Sequence, residues 1–93
     1  MVNRIEKLRA RARELGATGF RKSTRAGKKY SVQYMSKTIH FGARGMSDFT
    51  IHKDKKRRDR YLKRARGIRD GRGNLTHMDK TRSNFWSINI LWT

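Results

Sequence analysis

The residues best suited to chemistry in this chain of 93 residues are its cations. The sequence holds 25 Lys and Arg against 7 Asp and Glu, which gives a formal net charge of +18 at pH 7. Lys and Arg neutralise phosphates and release the counterions that surround a polyanion. This excess therefore predicts a nucleic-acid partner, and we expect double-stranded DNA, with RNA as the alternative.

The cations fall into two blocks. Residues 1–29 hold ten Lys and Arg against two Glu, and residues 53–72 hold eleven against three acidic residues. Few Asn or Gln accompany them, so we expect contacts to phosphates, largely independent of base sequence. The residues predicted to make these contacts are Arg9, Arg11, Arg13, Arg21, Lys22, Arg25, Lys53, Lys55, Lys56, Arg57, Arg60, Lys63, Arg64 and Arg72. Arg72 stands between Gly71 and Gly73, a pattern suited to a narrow minor groove or to exposed bases, and equally to a plain flexible loop.

A second group of residues has the chemistry of metal ligands. His40, Asp48, His52 and Asp54 lie within fifteen positions, but their spacing fixes no ligand geometry. We interpret His40, Asp48 and His52 as residues that tie down the loop before a helix that begins at Asp54. No Walker loop, nucleophile elbow or paired acid is present, and the chain has no Cys. The prediction is a protein that is not an enzyme and that uses no metal or cofactor.

Two helices are expected to carry the basic blocks. Residues 3–15 place Ile5, Leu8, Ala12 and Leu15 on one stripe, with Asn3 as N-cap and Gly16 as the stop. Residues 54–66 form the second predicted helix, with Asp54 as N-cap. Residues 16–29 combine glycines and cations without a period and are interpreted as a flexible linker. Residues 1–27 are thus predicted to form a basic arm that can be removed without unfolding the rest.

The neutral segments are expected to supply the core. Tyr30, Val32 and Tyr34 alternate with other residues, and residues 29–42 therefore predict a β-hairpin. Residues 67–84 are interpreted as a loop. Residues 85–92 alternate Trp86, Ile88, Ile90 and Trp92, which favours a buried strand, although a short buried helix capped by Ser83 fits a run of this length. Most aromatic side chains should be buried, because the apolar residues are few.

These elements predict an α+β fold with one small domain at residues 28–93, preceded by the basic arm. We expect a monomer when the protein is free. The N-terminus has no apolar run typical of a signal peptide, and no segment has the apolar length of a membrane span, so no membrane partner is expected.

One stretch, residues 37–64, has a distinctive motif. It resembles a family of short basic proteins encoded by giant and other nucleocytoplasmic large DNA viruses, including Marseillevirus relatives. The matching residues are Lys37, Ile39, His40, Phe41, Gly42, Gly45, Ser47, Asp48, Phe49, Thr50, His52 and Asp54, with Tyr61, Phe85, Trp86, Ser87, Leu91 and Trp92 further on. Lys55 departs from the motif, which has proline there. The resemblance implies a virion protein that acts on DNA or in transcription, in the nucleus or cytoplasmic viral factory of an infected cell.

The order of the predicted elements is also similar to that of the small chromosomal protein of methanogens, which bends DNA. This second likeness is one of topology only.

Overall fold

The computed structural model describes residues 3–93 and confirms the α+β fold. Its elements in chain order are α1 (Arg4–Glu14), β1 (Gly19–Lys22), β2 (Lys28–Tyr34), β3 (Lys37–Ala43), α2 (Phe49–His52), α3 (Lys55–Ala65), α4 (Ser83–Trp86) and a π-helix (Ser87–Leu91). In the described part of the chain, no helix is long and apolar enough to cross a membrane.

The three strands form one antiparallel sheet in the order β1-β2-β3. The predicted hairpin is confirmed, with Val32 opposite Ile39 in the register of β2 and β3. Its two turn residues, Met35 and Ser36, have φ angles of 47° and 65°. A two-residue turn with both φ values positive matches the right-handed twist of the strands, but Asn-Gly usually occupies it. The sequence therefore located the hairpin through its strands and not through its turn.

The predicted linker is wrong at its centre, where residues Gly19–Lys22 form β1 and pair with β2. Phe20 lies opposite Val32 and is buried against Tyr30, with ring centroids 5.2 Å apart. The four residues of β1 contain one large apolar side chain, so they show no alternation. Their pairing comes from β2, which supplies the hydrogen-bonding edge.

Helix α1 also belongs to the core and not to a separate arm. Asn3 caps it as predicted, since its Oδ1 accepts from the amide of Glu6 at 2.8 Å. Leu8 and Ala12 are 4% and 1% exposed and share one hydrophobic cluster with residues of all three strands. The predicted division into an arm at residues 1–27 and a domain at residues 28–93 is therefore not what this packing shows.

The C-terminal segment is helical, and the favoured strand prediction is wrong. Residues 85–88 and 90–92 are buried, so the segment is enclosed on nearly all sides. Alternation is uninformative in a short run that is buried on nearly all sides, because helix and strand can both bury such a run. The helix is not capped by Ser83: its N-cap is Arg82, which makes no side-chain cap.

The aromatic side chains are core residues, as predicted. Phe20, Tyr30, Phe41, Phe85, Trp86 and Trp92 are buried, and Tyr34, Phe49 and Tyr61 pack against them. Trp86 is fully enclosed, and its indole Nε1 donates to the carbonyl of Lys80 at 2.7 Å.

Candidate nucleic-acid interface

Helix α3 presents the densest group of cations. Asp54 starts it as predicted, because its Oδ1 accepts from the amides of Lys56 at 3.0 Å and Arg57 at 3.2 Å. Seven of its eleven residues are Lys or Arg, and Ala65 is its one buried residue. No acidic residue occupies the first turn, where the helix dipole disfavours the cations that stand there. These cations reduce the stability of the helix, which indicates a role other than folding.

Most cations of the chain lack an acidic partner. Within residues 3–93, ion pairs involve only Arg11, Lys29, Arg58 and Arg82 among the 25 Lys and Arg. On α3, Arg58 lies 3.7 Å from Asp59 and over the ring of Phe49 at 4.8 Å. The predicted contact residues on and before α3 are exposed, namely Lys53, Lys55, Lys56, Arg57, Arg60, Lys63 and Arg64.

A cavity of about 350 Å³ lies beside α3, and we call it the α3 pocket. Arg57, Arg60 and Arg64 line it from the helix, and their spacing of three and four residues places them on one face. The hairpin contributes Lys29 and Gly42 on a second side. The π-helix and the residue after it close a third side with Ser87, Leu91 and Trp92.

The floor of the α3 pocket is aromatic and locked in place. Tyr61 stacks on Trp92 with ring centroids 4.1 Å apart and planes 9° from parallel. Its hydroxyl is hydrogen-bonded to Ser87 Oγ at 2.9 Å. Burial raises the pKa of Tyr61, although the bond to Ser87 opposes the shift, so the phenol is neutral at physiological pH. The floor therefore adds no negative charge.

The pocket also contains one carboxylate, which is already balanced. Asp48 is 1% exposed, and its Oδ2 accepts from Lys29 Nζ at 2.8 Å. Its Oδ1 accepts from the amide of Thr50 at 2.9 Å and from the Thr50 hydroxyl. The charges of Asp48 and Lys29 cancel each other. The net positive charge of the pocket therefore comes from the three guanidinium groups of α3.

Two of the five cations of α1, Arg4 and Arg11, are used differently. Arg11 Nε donates to the carbonyl of Asn89 at 3.2 Å, and its NH1 lies 3.4 Å from Glu14. Arg4 donates to Thr50 Oγ1 at 2.9 Å and to the Tyr30 hydroxyl at 3.1 Å. Arg11, a predicted phosphate contact, is thus engaged inside the molecule.

The remaining predicted contacts lie in other places. Arg9 and Arg13 line a shallow groove with Phe20, and the Arg9 guanidinium is 5.8 Å from that ring. Arg21 and Lys22 are exposed on the edge strand β1. Arg25 lines a third groove with Lys28, Lys37 and Arg82. The structure therefore gathers Arg57, Arg60 and Arg64 in one pocket, and it places the other predicted contacts outside that pocket.

Arg72 is exposed in a loop that Asp70 organises. The Asp70 Oδ1 accepts from the amides of Asn74 at 3.0 Å and Arg72 at 2.9 Å. These bonds hold the pKa of Asp70 below its usual range. The loop that presents Arg72 is thus a defined turn.

The candidate metal ligands have structural contacts. His52 Nδ1 accepts from the amide of Asp54 at 2.8 Å, and Asp48 caps α2 through Thr50. The prediction that Asp48 and His52 tie down this loop is confirmed. His40 instead links β3 to the loop after β1, since its Nδ1 is hydrogen-bonded to Ser23 Oγ at 2.7 Å. Among residues 3–93, no three or more His, Asp or Glu side chains are placed to hold a metal ion.

The sequence predicted the cations of α3 individually and did not predict that they line a pocket. The spacing of Arg57, Arg60 and Arg64 was available in the sequence as one helical face. Lys29 and Trp92 come from distant parts of the chain, and only the fold brings them to that face.

The fold and this surface define a small, highly basic α+β protein with a cationic pocket beside α3. Residues 19–65 match the model of a family of unknown function, DUF5754, and the chain belongs to that family. The match runs from β1 to the end of α3. Comparison with curated proteins and with solved structures found no match.

Proposed function

We propose that this protein binds double-stranded DNA through its phosphates, largely independently of sequence, and acts as a non-enzymatic architectural or transcription-related protein. The observation that supports this most directly is α3. It carries seven cations, and within residues 3–93 only Arg58 among them has an acidic partner. Unpaired cations at this density repel one another, and a polyanion relieves that repulsion.

The dimensions of α3 favour DNA over RNA. A helix of eleven residues is about 16 Å long and about 10–12 Å wide with its side chains. The major groove of B-DNA is about 12 Å wide and admits such a helix. The deep, narrow major groove of A-form RNA does not admit it.

The composition of α3 favours phosphate contacts over base reading. The helix contains no Asn or Gln, the residues whose amides pair with adenine. Its exposed cations point in several directions around the helix axis, as contacts to two phosphate backbones require.

We further propose that the protein is encoded by a large DNA virus, is packaged in the virion and acts in the nucleus or viral factory of the infected cell. The motif within residues 37–64 supports this origin. Mass spectrometry of purified virions tests it, and absence of the protein from virions would contradict packaging.

The DNA-binding proposal is tested by competition among closed circular duplex DNA, structured RNA and single strands at about 50 to 200 mM salt. If the six unpaired α3 cations each neutralise a phosphate, the log–log slope for duplex DNA is about −5. Tighter binding to RNA would contradict the choice of DNA. A short sequence bound about a thousandfold more tightly than random DNA would contradict sequence independence.

A further inference from the structure

We propose that the α3 pocket binds the phosphate monoester at the end of a DNA strand, together with the nucleotide that carries it. The inference rests on the proposed function, because it takes DNA as the ligand of this surface. It adds a specific substrate class, the phosphorylated strand end, to a surface that otherwise contacts phosphates anywhere along a duplex.

The charge of the pocket fits a monoester better than an internal phosphate. Arg57, Arg60 and Arg64 face the cavity, and within residues 3–93 none of the three has an acidic or hydrogen-bonding partner for its side chain. An internal phosphodiester carries a single negative charge, whereas a phosphate monoester carries about 1.5 to 2 at pH 7. Arg presents a planar fork that binds two phosphate oxygens at once. Three such groups around one cavity match the oxygens of a terminal phosphate.

The shape of the pocket fits one nucleotide at a chain end. Its volume of about 350 Å³ falls in the range of about 300–1,000 Å³ that is usual for small-ligand sites. Three elements line it, and it is partly open to solvent, because Arg57, Arg60 and Arg64 are exposed. A terminal nucleotide enters such a recess more readily than an internal one, because its backbone continues in one direction only.

The walls supply contacts for the rest of the nucleotide. Tyr61, Leu91 and Trp92 form an apolar surface next to the arginines. The Tyr61 ring is fixed by Trp92 and by Ser87, so it does not have to be ordered on binding. The carboxylate of Asp48 lies behind Lys29 at 2.8 Å, and this ion pair reduces its repulsion of a bound phosphate.

The test uses the full chain and oligonucleotides of about six nucleotides with a 5′-phosphate, a 3′-phosphate or neither, measured by fluorescence anisotropy. We expect a phosphorylated end to bind at least about tenfold more tightly than the same strand with hydroxyl ends, the gain typical of charge-assisted hydrogen bonds. The two phosphorylated strands show which end enters. Thymidine monophosphate should compete better than inorganic phosphate if the apolar wall holds the nucleotide.

Two matched variants assign the effect to the pocket. The double substitution Arg57→Gln and Arg64→Gln removes two cations from the pocket, and Lys56→Gln with Lys63→Gln removes two from the same helix outside it. The first should reduce the end preference to less than about twofold. The second should lower the affinity for all strands and keep the preference. Arg57→Lys with Arg64→Lys keeps the positive charges and removes the planar guanidinium groups. This variant should retain part of the preference for phosphorylated ends. It replaces the first variant if that one does not fold.

Equal affinity for phosphorylated and hydroxyl ends would overturn the proposal, as would a preference that survives in the pocket variant. Closed circular duplex DNA has no strand end, so its affinity reports on the proposed function alone. If the protein binds circular DNA and shows no preference for phosphorylated ends, only this inference is contradicted. If it prefers phosphorylated ends and does not bind circular DNA, only the proposed function is contradicted.

Discussion

Helices α1 and α3 have the same length and are both basic, yet only α1 directs some of its cations to acceptors inside the molecule. Each has eleven residues, and α1 buries Leu8 and Ala12, whereas α3 buries only Ala65. Arg4 and Arg11 of α1 donate to oxygens of distant residues. Within residues 3–93, the cations of α3 have no such acceptors. The presence of Lys and Arg therefore does not by itself distinguish a structural helix from a binding helix, and the availability of internal acceptors helps to do so.

The largest expected effect is that of removing the N-terminal basic block. Deletion of residues 1–27 takes away α1 and β1, with Leu8, Ala12 and Phe20 of the hydrophobic core. We expect loss of cooperative thermal melting, monitored by circular dichroism, because a domain of this size has little stability to spare. The milder change Leu8→Ala should cost about 2–4 kcal/mol. A truncated chain that melts cooperatively would restore the interpretation of residues 1–27 as an arm.

A smaller effect is expected at the buried ion pair. Asp48→Ala leaves Lys29 without its partner at 2.8 Å and the amide of Thr50 without its acceptor. We expect a loss of about 3 kcal/mol in the free energy of unfolding, measured by urea denaturation. Asp48→Asn should lose less, because the amide oxygen can still cap α2.

The same measurement with a chelator serves as the control for Asp48. The loss should be equal with and without it, since the partners of the carboxylate are protein groups. If the chelator destabilises the parent protein and Zn²⁺ restores it, Asp48 is a metal ligand and this account of the loop is wrong.

The comparison of the two helices is sharpened by matched charge removal. Lys56→Gln with Lys63→Gln on α3 should reduce the magnitude of the salt slope for duplex DNA by about 2, as expected for two lost phosphate contacts. Arg4→Gln with Arg11→Gln on α1 removes the same charge from cations that are hydrogen-bonded inside the molecule, and it should change the slope by less than about 1. An equal reduction for both pairs would show that α1 contributes to the interface as much as α3.

The smallest expected effect lies in the loop that presents Arg72. The amides of Asn74 and Arg72 hold the pKa of Asp70 below its ordinary value, so the carboxylate stabilises this turn above the ordinary pKa of an Asp and ceases to do so as the pH falls through its lowered pKa. The NMR shifts of these two amides should titrate with a midpoint below 3.8. In Asp70→Asn the transition should be absent. A midpoint at the ordinary value would show that the carboxylate does not hold the turn.

Elements with local signals were predictable from the sequence. Alternation at Tyr30, Val32 and Tyr34 located β2, and the polar caps Asn3 and Asp54 located the starts of α1 and α3. Strand β1 was not predictable, because its conformation depends on pairing with β2 and not on its own four residues. The C-terminal helix was ambiguous for a different reason: its alternation over eight residues is too short to distinguish a buried helix from a buried strand.

The candidate site was likewise predictable only where its signal is local in the sequence. The cations of α3 and their exposure followed from composition and from the helical period. The pocket could not be predicted in this way, because it also requires Lys29 from the hairpin and Trp92 from the end of the chain. A site that combines residues far apart in sequence depends on tertiary structure, which no local pattern records.

The π-helix at Ser87–Leu91 allows the floor of the pocket to tolerate a change in the number of residues. Its hydrogen bonds span one residue more than those of an α-helix, so the extra residue is accommodated within one wide turn. Deleting one residue there would restore α-helical geometry and leave the following chain close to its present orientation. Trp92 would then keep its stacked position 4.1 Å from Tyr61. A related chain with one residue fewer in this segment would therefore keep both the arginines of α3 and the aromatic floor beneath them.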